Sequence, residues 1–262
     1  MKKIFGKLLA LALVLTLSVS VLGVVPVLAD ETDMVIDSAY YDNDYEPYNY
    51  HRVVKDKCKT FSEGDGCVVA TCFYERIVLV GFKKGIKKIN KTLKKLSNNY
   101  YYDDLYECAE AASKDGGLKD VFCDYVTSDV TWADQTYISV VTTGQWYAGG
   151  SSSHSISGYV FNLDTGKKVS ITTATGSTLK QVKKALLHAI KEDVEFSDVY
   201  DSYATELEAF VNGLKTADIS YYINGEGKAV VCVGPYTEPF YGGWTREYVL
   251  NDLPAVFEVG VG

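Results

Sequence analysis

The sequence lacks the motifs by which many enzymes and metal sites are recognised. It contains no G-x-S-x-G segment, so the strained turn that presents a hydrolase serine is missing. It also contains no C-x-x-C pair, and His51, His154 and His188 stand far apart, whereas structural zinc sites take ligands at short spacings. We therefore expect a chain that is not an enzyme and that holds neither a metal nor a cofactor.

The sequence also contains fewer basic than acidic residues. The chain has 26 Lys and Arg against 34 Asp and Glu, a net charge of −8. Residues 1–29 hold three of the lysines and no acid, so their removal lowers the charge to −11. Such a balance argues against nucleic acid and against tight adsorption to anionic lipid. We expect no nucleic-acid partner and, after cleavage, no membrane partner. Only the local distribution of charge could reverse this.

The amino terminus has the pattern of an export signal. Three lysines precede an apolar run over residues 8–25, which closes on Val27-Leu28-Ala29, a spacing that signal peptidase accepts. We predict a signal peptide over residues 1–29 and a secreted product, either free or associated with the cell wall. If the segment is not cut, its length suffices to span a bilayer, and the chain would be a membrane-tethered sensor.

Six cysteines follow the predicted signal peptide. An even number in an exported chain permits up to three disulfides, with 15 possible connectivities. The alternative is that several cysteines are buried, unpaired and serve as small apolar residues. The sequence leaves both open. The six are Cys58, Cys67, Cys72, Cys108, Cys123 and Cys232.

The pattern of apolar residues predicts an α+β fold, with one or more antiparallel sheets and two or three packed helices. Residues 30–52 are acidic and rich in tyrosine, and we predict a poorly ordered leader there. An extracellular domain over residues 53–262 follows, either as one body or as two closely packed halves, 53–133 and 134–262. Alternating strands and turn residues predict an antiparallel meander between residues 121 and 172.

One predicted helix carries most of the local basic charge. Apolar residues recur at intervals of four and three from Phe82 to Leu96, which places them on one face. Lysines occupy the other faces. A solvated face is the favoured interpretation, and extracellular phosphodiester polymers are the alternative target.

Aromatic residues beside proline and glycine are the best candidates for binding, because they present rigid surface with little side-chain entropy to lose. The alternative role for them is packing in the core. His154 lies in a Gly/Ser turn without a catalytic partner, so a contact or structural role is expected. The candidate binding residues are Trp146, Tyr147, His154, Tyr236, Phe240, Tyr241 and Trp244.

Three stretches together resemble a family of bacterial extracellular domains, found in the sensor portion of a lysozyme-responsive anti-sigma factor and beside peptidoglycan deacetylases. The first is a strand and turn that lead into Ile89-Asn90-Lys91. The second joins Gly149-Gly150 and His154 to a hairpin at Asn162-Leu163-Asp164. The third ends in the Pro-Tyr-rich loop of residues 235–243.

The resemblance implies an extracellular recognition module at the cell envelope, which in one member binds lysozyme and has no chemistry of its own. We therefore expect a non-enzymatic domain that binds a lysozyme-like protein or a peptidoglycan or other cell-wall polymer. An enzyme acting on envelope polysaccharide is the alternative, because paired carboxylates can come from distant parts of a chain.

Overall fold

The computed structural model describes residues 33–36, 49–63, 65–96, 102–114, 118–238, 240 and 242–256. For residues 33–36, 49, 102 and 194–202 only the backbone is described. The predicted signal peptide and the predicted binding residue Tyr241 lie outside the described residues. Within the described part of the chain, no helix combines the length and the hydropathy that a membrane crossing requires.

The larger sheet contains six strands, in the order in which they occur along the chain. They are β1 (Asp33–Ile36), β2 (Asn49–Glu63), β3 (Gly66–Val80), β4 (Lys119–Ala133), β5 (Tyr137–Ala148) and β6 (Ser151–Asn162). Strands β3 and β4 are parallel, and the other neighbours are antiparallel. The predicted meander is thus confirmed for β4, β5 and β6. Its last predicted segment, residues 168–172, forms only an isolated bridge between Lys168 and Phe161 and then enters a helix at Ile171.

Two helices lie in the connection between β3 and β4, since parallel neighbours need a long crossover. They are α1 (Ile86–Leu96) and α2 (Tyr102–Lys114). Helix α1 buries Ile86, Ile89 and Leu93, as its periodicity predicts. Phe82, which the same periodicity places on that face, precedes the helix and is fully exposed. The helix begins later because Gly85 donates its N–H to the carbonyl of Leu163, at 2.9 Å.

A second, three-stranded antiparallel sheet follows a group of helices, which confirms the α+β class. The helices are α3 (Ile171–Thr175), α4 (Leu179–Lys191) and α5 (Val194–Gly213), with a 3-10 turn at Thr216–Asp218. The strands are β7 (Ser220–Ile223), β8 (Ala229–Val233) and β9 (Arg246–Val249). A capping box between Thr178 and Gln181 opens α4. The largest apolar cluster joins this sheet to α4 and α5.

The carboxyl-terminal part of the chain covers the outer edge of β6. The N–H of His154 donates to the carbonyl of Gly243 at 2.7 Å, and the N–H of Ile156 donates to the Thr245 hydroxyl at 2.8 Å. Gly158 donates in the same way to the hydroxyl of Ser220, at 3.1 Å. An edge that is paired in this manner cannot recruit a foreign strand.

Strands occupy part of the predicted leader. Residues 33–36 form β1, and residues 49–52 begin β2, so the expected domain start at residue 53 falls inside a strand. The boundary considered between residues 133 and 134 falls at the turn between β4 and β5, which are neighbours in one sheet. The described residues from 33 onward belong to one compact unit.

The structure describes all six cysteines, and no disulfide joins them. Cys72 and Cys232 are buried, and burial raises the pKa of the Cys72 thiol to about 11 and that of Cys232 to about 12. Cys108 is exposed on α2. The raised pKa values suppress the thiolate, which is the nucleophilic form, at neutral pH.

We therefore expect the cysteines to differ in the rate at which they react with thiol reagents. At pH 8, a thiol of pKa about 11 is roughly one part in 1,000 thiolate, so Cys72 and Cys232 should stay unmodified while Cys108 reacts. Raising the pH increases the thiolate fraction of both buried groups. Mass spectrometry after timed alkylation checks this, with the denatured protein as the fully reactive control. Rapid labelling of Cys72 in the folded protein would contradict the described packing.

Candidate functional site

A groove with a volume of about 420 Å³ is lined by two of the predicted binding residues, Trp146 and Tyr236. It lies where β4, β5 and β6 meet the first turn of α2 and the loop that follows β8. Its walls carry carboxylate, hydroxyl, amide and aromatic groups, a mixture that can recognise a polar ligand. The lining residues are Asp104, Asp124, Val126, Gly144, Gln145, Trp146, Ser153, Ser155, Pro235 and Tyr236.

Strand register places the main side chains of the groove on one face of the sheet. Trp146 stands opposite Asp124 on β4 and opposite Ser153 on β6. Gly144, two residues earlier on β5, stands opposite Ser155. Residues two apart on a strand share a face, and so do directly paired residues. Since Gly144 has no side chain, the groove has room beside the indole of Trp146.

A buried carboxylate forms part of the groove wall. Asp124 is only 4% exposed, and its Oδ2 accepts a hydrogen bond from the Tyr74 hydroxyl at 2.6 Å. Burial and this contact with Asp124 raise the pKa of Tyr74, so the phenol stays protonated and continues to donate. A short hydrogen bond of this kind fixes the orientation of the carboxylate. Asp104, in the first turn of α2, adds a second, exposed carboxylate.

The segment of residues 234–245, here called the aromatic loop, contributes Pro235 and Tyr236 to the groove. The N–H of Tyr236 donates to the carbonyl of Gly242 at 2.6 Å, and that of Phe240 donates to the carbonyl of Thr237 at 2.7 Å. The Tyr236 hydroxyl donates to the carbonyl of Ser152 on β6, at 3.1 Å. These contacts hold the loop against the end of the large sheet.

Tyr236 combines exposure with an uncommon backbone. Its side chain is 66% exposed, and its φ of +56° lies in the left-handed region that non-glycine residues rarely adopt. Holding a tyrosine there costs about 1 kcal/mol or more. The exposed ring contributes little apolar burial, so the hydrogen bond from its hydroxyl to Ser152 is what it adds to the fold.

Trp244 and His154 form a second aromatic contact at the same end of β6. Their ring centroids are 5.1 Å apart, with planes inclined by 31°. The backbone supports this stack, because the N–H of Thr245 donates to the carbonyl of His154 at 2.9 Å. Trp244 is nevertheless 62% exposed, so most of its indole faces solvent.

Two further predicted site residues, Phe240 and Tyr147, lie apart from this surface. Phe240 is 8% exposed and lies edge-on to Phe210, with ring centroids 5.7 Å apart. Phe240 therefore packs in the core, which is the alternative role considered for the aromatic residues. Tyr147 is half-buried, and its hydroxyl donates to Asp120 at 2.8 Å. Both side chains contact neighbouring residues of the protein and are not part of the exposed binding surface.

Sequence reasoning missed the polar residues of the groove. These residues lie in or next to the predicted strands, but no local sequence pattern indicates that they are neighbours in the fold. They are Asp124, Gly144, Ser153 and Ser155. The signal that could have found them is the strand alternation of β5, which puts Gly144 and Trp146 on one face. Asp104 reaches the groove only because α2 packs against the sheet, and the pattern of strands alone does not predict this packing.

A larger cavity, of about 560 Å³, lies between β6 and the 3-10 turn and contains none of the predicted binding residues. Its one cationic group, Lys168, has its Nζ 4.2 Å from the centroid of the Tyr159 ring, and burial lowers the pKa of this lysine. We favour the smaller groove because exposed aromatic residues flank it. In the described part of the chain, no cluster of three or more His, Cys, Asp or Glu residues could hold a metal ion.

No protein-family model matches the chain, and no curated protein matches it. Its structure is similar to that of a DUF3298 family member from Bacteroides fragilis, with a TM-score of 0.51 and 11% identity, over 77% of this chain and 89% of that chain. A DUF3298 family protein from Pseudomonas aeruginosa gives a TM-score of 0.44 and 10% identity, over 78% of this chain and 91% of that chain. At 11% identity the first likeness shows the fold alone, in a bacterial protein. The link to a lysozyme-sensing anti-sigma factor stays a prediction.

Proposed function

We propose that this protein is a secreted, non-enzymatic recognition domain of the bacterial cell envelope, which binds a protein such as lysozyme or a cell-wall component. The binding surface consists of the groove and the two exposed rings of the aromatic loop, Tyr236 and Trp244. Secretion follows from the amino-terminal pattern, and the class of partner follows from the resemblance described above.

The conformation of Tyr236 is the observation that carries this proposal. A ring that is exposed and held on an unfavourable backbone is costly for the fold, and such costs are typical of functional positions. The loop that holds Tyr236 is fixed by hydrogen bonds to β6, so little order remains to be gained when a partner binds. Preorganised aromatic side chains of this kind dominate many protein interfaces.

The charge of the surface favours a basic partner. Two carboxylates, of Asp104 and Asp124, line the groove, and the chain as a whole is acidic. Opposite charge on a partner speeds the encounter and fixes its orientation. A basic protein such as lysozyme meets this requirement, and a wall polymer with free amino groups does so as well.

We expect removal of the Trp244 indole to weaken binding strongly. The purified protein is first incubated with lysozyme-coated beads and, separately, with insoluble peptidoglycan. For whichever it binds, Trp244→Ala should cost about 2 kcal/mol, or roughly thirtyfold in Kd, as expected for a central aromatic contact. Isothermal titration or surface plasmon resonance measures the change.

Phe82→Ala is the matched control, because Phe82 is an exposed aromatic residue outside the groove. It should leave Kd unchanged for a soluble partner. Thermal unfolding of each variant shows whether the fold is retained. If Trp244→Ala and Phe82→Ala bind equally well, the aromatic loop is not the contact surface. If Trp244→Ala unfolds the protein, its indole belongs to the core.

A second function is favoured by one observation, the presence of two carboxylates in the same groove. Glycoside hydrolases use a pair of carboxyl groups that flank the bond to be cut. An enzyme would release soluble sugar from peptidoglycan, and Asp124→Asn would abolish the release. A recognition domain instead retains the polymer and leaves it intact, so an assay for reducing sugar after the binding step separates the two.

A further inference from the structure

Helix α1 presents a continuous basic face to solvent. Its buried residues lie on one side, and five exposed lysines lie opposite them within an arc of about 120°, at 100° per residue. We call this set the lysine face. It extends over about 12 Å of the helix axis, because each residue advances the helix by roughly 1.5 Å. Its members are Lys87, Lys88, Lys91, Lys94 and Lys95.

Four of the five lysines have no acidic partner among the residues that the structure describes. Helix α1 contains no Asp or Glu. Lys87, Lys88, Lys91 and Lys95 form no salt bridge with any residue that the structure describes. The neighbouring Lys83 behaves differently, since its Nζ lies 3.0 Å from Oδ1 of Asp164. Five exposed lysines on one side of a helix in an acidic protein form a local reversal of charge, which the net charge of the chain does not reveal.

Apolar side chains protrude immediately before the helix. Phe82 is fully exposed and Val80 is 50% exposed, on either side of Gly81. A fully exposed phenylalanine buries none of its apolar surface within the protein. Phe82 is separated from the first turn of α1 by three residues only, so an apolar projection and the lysine face occur in one segment of about 16 residues.

We propose that this segment docks the protein on an anionic lipid bilayer, with the lysine face against the headgroups and Phe82 in the interfacial layer. Lysines near an anionic surface each strengthen binding about fivefold. Transfer of an aromatic ring from water into the interfacial layer of the bilayer strengthens binding further. This surface is separate from the groove, and docking here leaves the aromatic loop open to its own partner.

The apolar residues favour a bilayer over a soluble phosphodiester polymer. Both offer phosphate groups to the lysines, and in both cases binding weakens as salt is added. A polymer of alternating phosphate and polyol offers no apolar layer for Phe82 and Val80. The contribution of Phe82 therefore distinguishes the two partners.

The test measures binding to vesicles by cosedimentation. The full chain is expressed in an exporting bacterium, and the form that the cells release is purified. It is mixed with vesicles of equal parts phosphatidylglycerol and phosphatidylcholine, or of phosphatidylcholine alone. The preference for anionic vesicles is the readout, because any apolar amino-terminal segment still present would affect both kinds of vesicle.

The wild-type protein should prefer anionic vesicles, and Lys87→Glu with Lys91→Glu should reduce binding to them by at least about twentyfold. The matched control is Lys180→Glu with Lys184→Glu, which changes the same number of charges at the same spacing on α4. The control should bind as the wild type does. Phe82→Ser should weaken vesicle binding, and circular dichroism verifies that every variant is folded.

Three results would overturn the proposal. One is an equal affinity of the wild type for neutral and anionic vesicles. Another is an equal loss in the α4 control, which would indicate a response to net charge alone. The third is binding to soluble poly(glycerol phosphate) that Phe82→Ser leaves unchanged while vesicles are not bound, which would identify a polymer as the partner.

Discussion

Replacing Gly158 by Ala is expected to lower the free energy of unfolding by about 3 kcal/mol, as overpacking of a rigid contact does. Gly158 lies on β6, where β7 crosses it. A Cβ on this residue would stand 2.2 Å from the carbonyl carbon of Tyr221, 2.3 Å from its oxygen and 2.5 Å from the nitrogen of Tyr222. These are backbone atoms of a strand, so relief requires the two sheets to separate.

Gly144→Ala is the control for this experiment, because it makes the same substitution on the neighbouring strand. A Cβ on Gly144 would meet only the Ser155 hydroxyl closely, at 2.6 Å, and that side chain can rotate away. We expect a change within about 1 kcal/mol. Urea unfolding of both variants gives the comparison. Equal losses would mean that the contact between β6 and β7 is looser than described.

The consequence of Gly158→Ala extends to the binding surface. The aromatic loop joins β8 to β9 in the second sheet, and it reaches the first sheet through His154 and Ser152. A displaced second sheet would carry the loop with it. We therefore expect the variant to lose partner affinity even under conditions where it remains folded.

Arg52→Ala should be the second most disruptive change, with a loss of about 2 to 3 kcal/mol. Arg52 forms salt bridges with Glu75 and Asp129, and its Nη1 donates to the carbonyl of Ser128 at 2.8 Å. Burial disfavours its charge, but Asp129 and Glu75 outweigh this and raise the pKa of the guanidinium. The Glu75 side chain is only 16% exposed, so its carboxylate would be left desolvated without a partner.

Arg52→Lys tests whether the stabilising effect of Arg52 depends on the geometry of the guanidinium group or only on its positive charge. A lysine keeps the positive charge but lacks the planar fork that reaches β3 and β4 together, so it should recover less than half of the loss. Lys83→Ala removes a cation from the more exposed pair with Asp164, whose carboxylate is 60% exposed, and should cost less than about 1 kcal/mol. Similar losses for Arg52→Ala and Lys83→Ala, measured by denaturant unfolding, would contradict this account.

Local patterns in the sequence suffice for much of the fold. The intervals of Ile86, Ile89 and Leu93 predict α1 and its buried face, because a helix repeats its side-chain directions every three to four residues. Alternating segments separated by turn residues predict the meander that β4, β5 and β6 form. The parallel pairing of β3 with β4 was beyond these patterns, since a crossover of nearly 40 residues leaves no local signal of register.

The candidate site was predictable only in part, and the aromatic loop shows why. Tyr236 and Phe240 occur in the same Pro-Gly-rich composition, yet one ring is exposed and the other is buried against Phe210. Which ring turns inward depends on the tight turn within the loop and on its anchoring to β6. Composition indicates that a loop is rich in contact residues, but tertiary packing decides which of them a partner can touch.

The most direct test of the recognition function is the affinity of Tyr236→Gly for its partner, measured beside its free energy of unfolding. Glycine adopts a φ of +56° without strain, but it also lacks the hydroxyl that donates to Ser152. Because each effect amounts to about 1 kcal/mol and they oppose each other, the stability of the variant should stay within about 1 kcal/mol of the wild type. If the ring is kept for binding, Kd should rise at least about tenfold in this well-folded variant. Unchanged affinity for lysozyme and for peptidoglycan, whichever the wild type binds, would contradict the account.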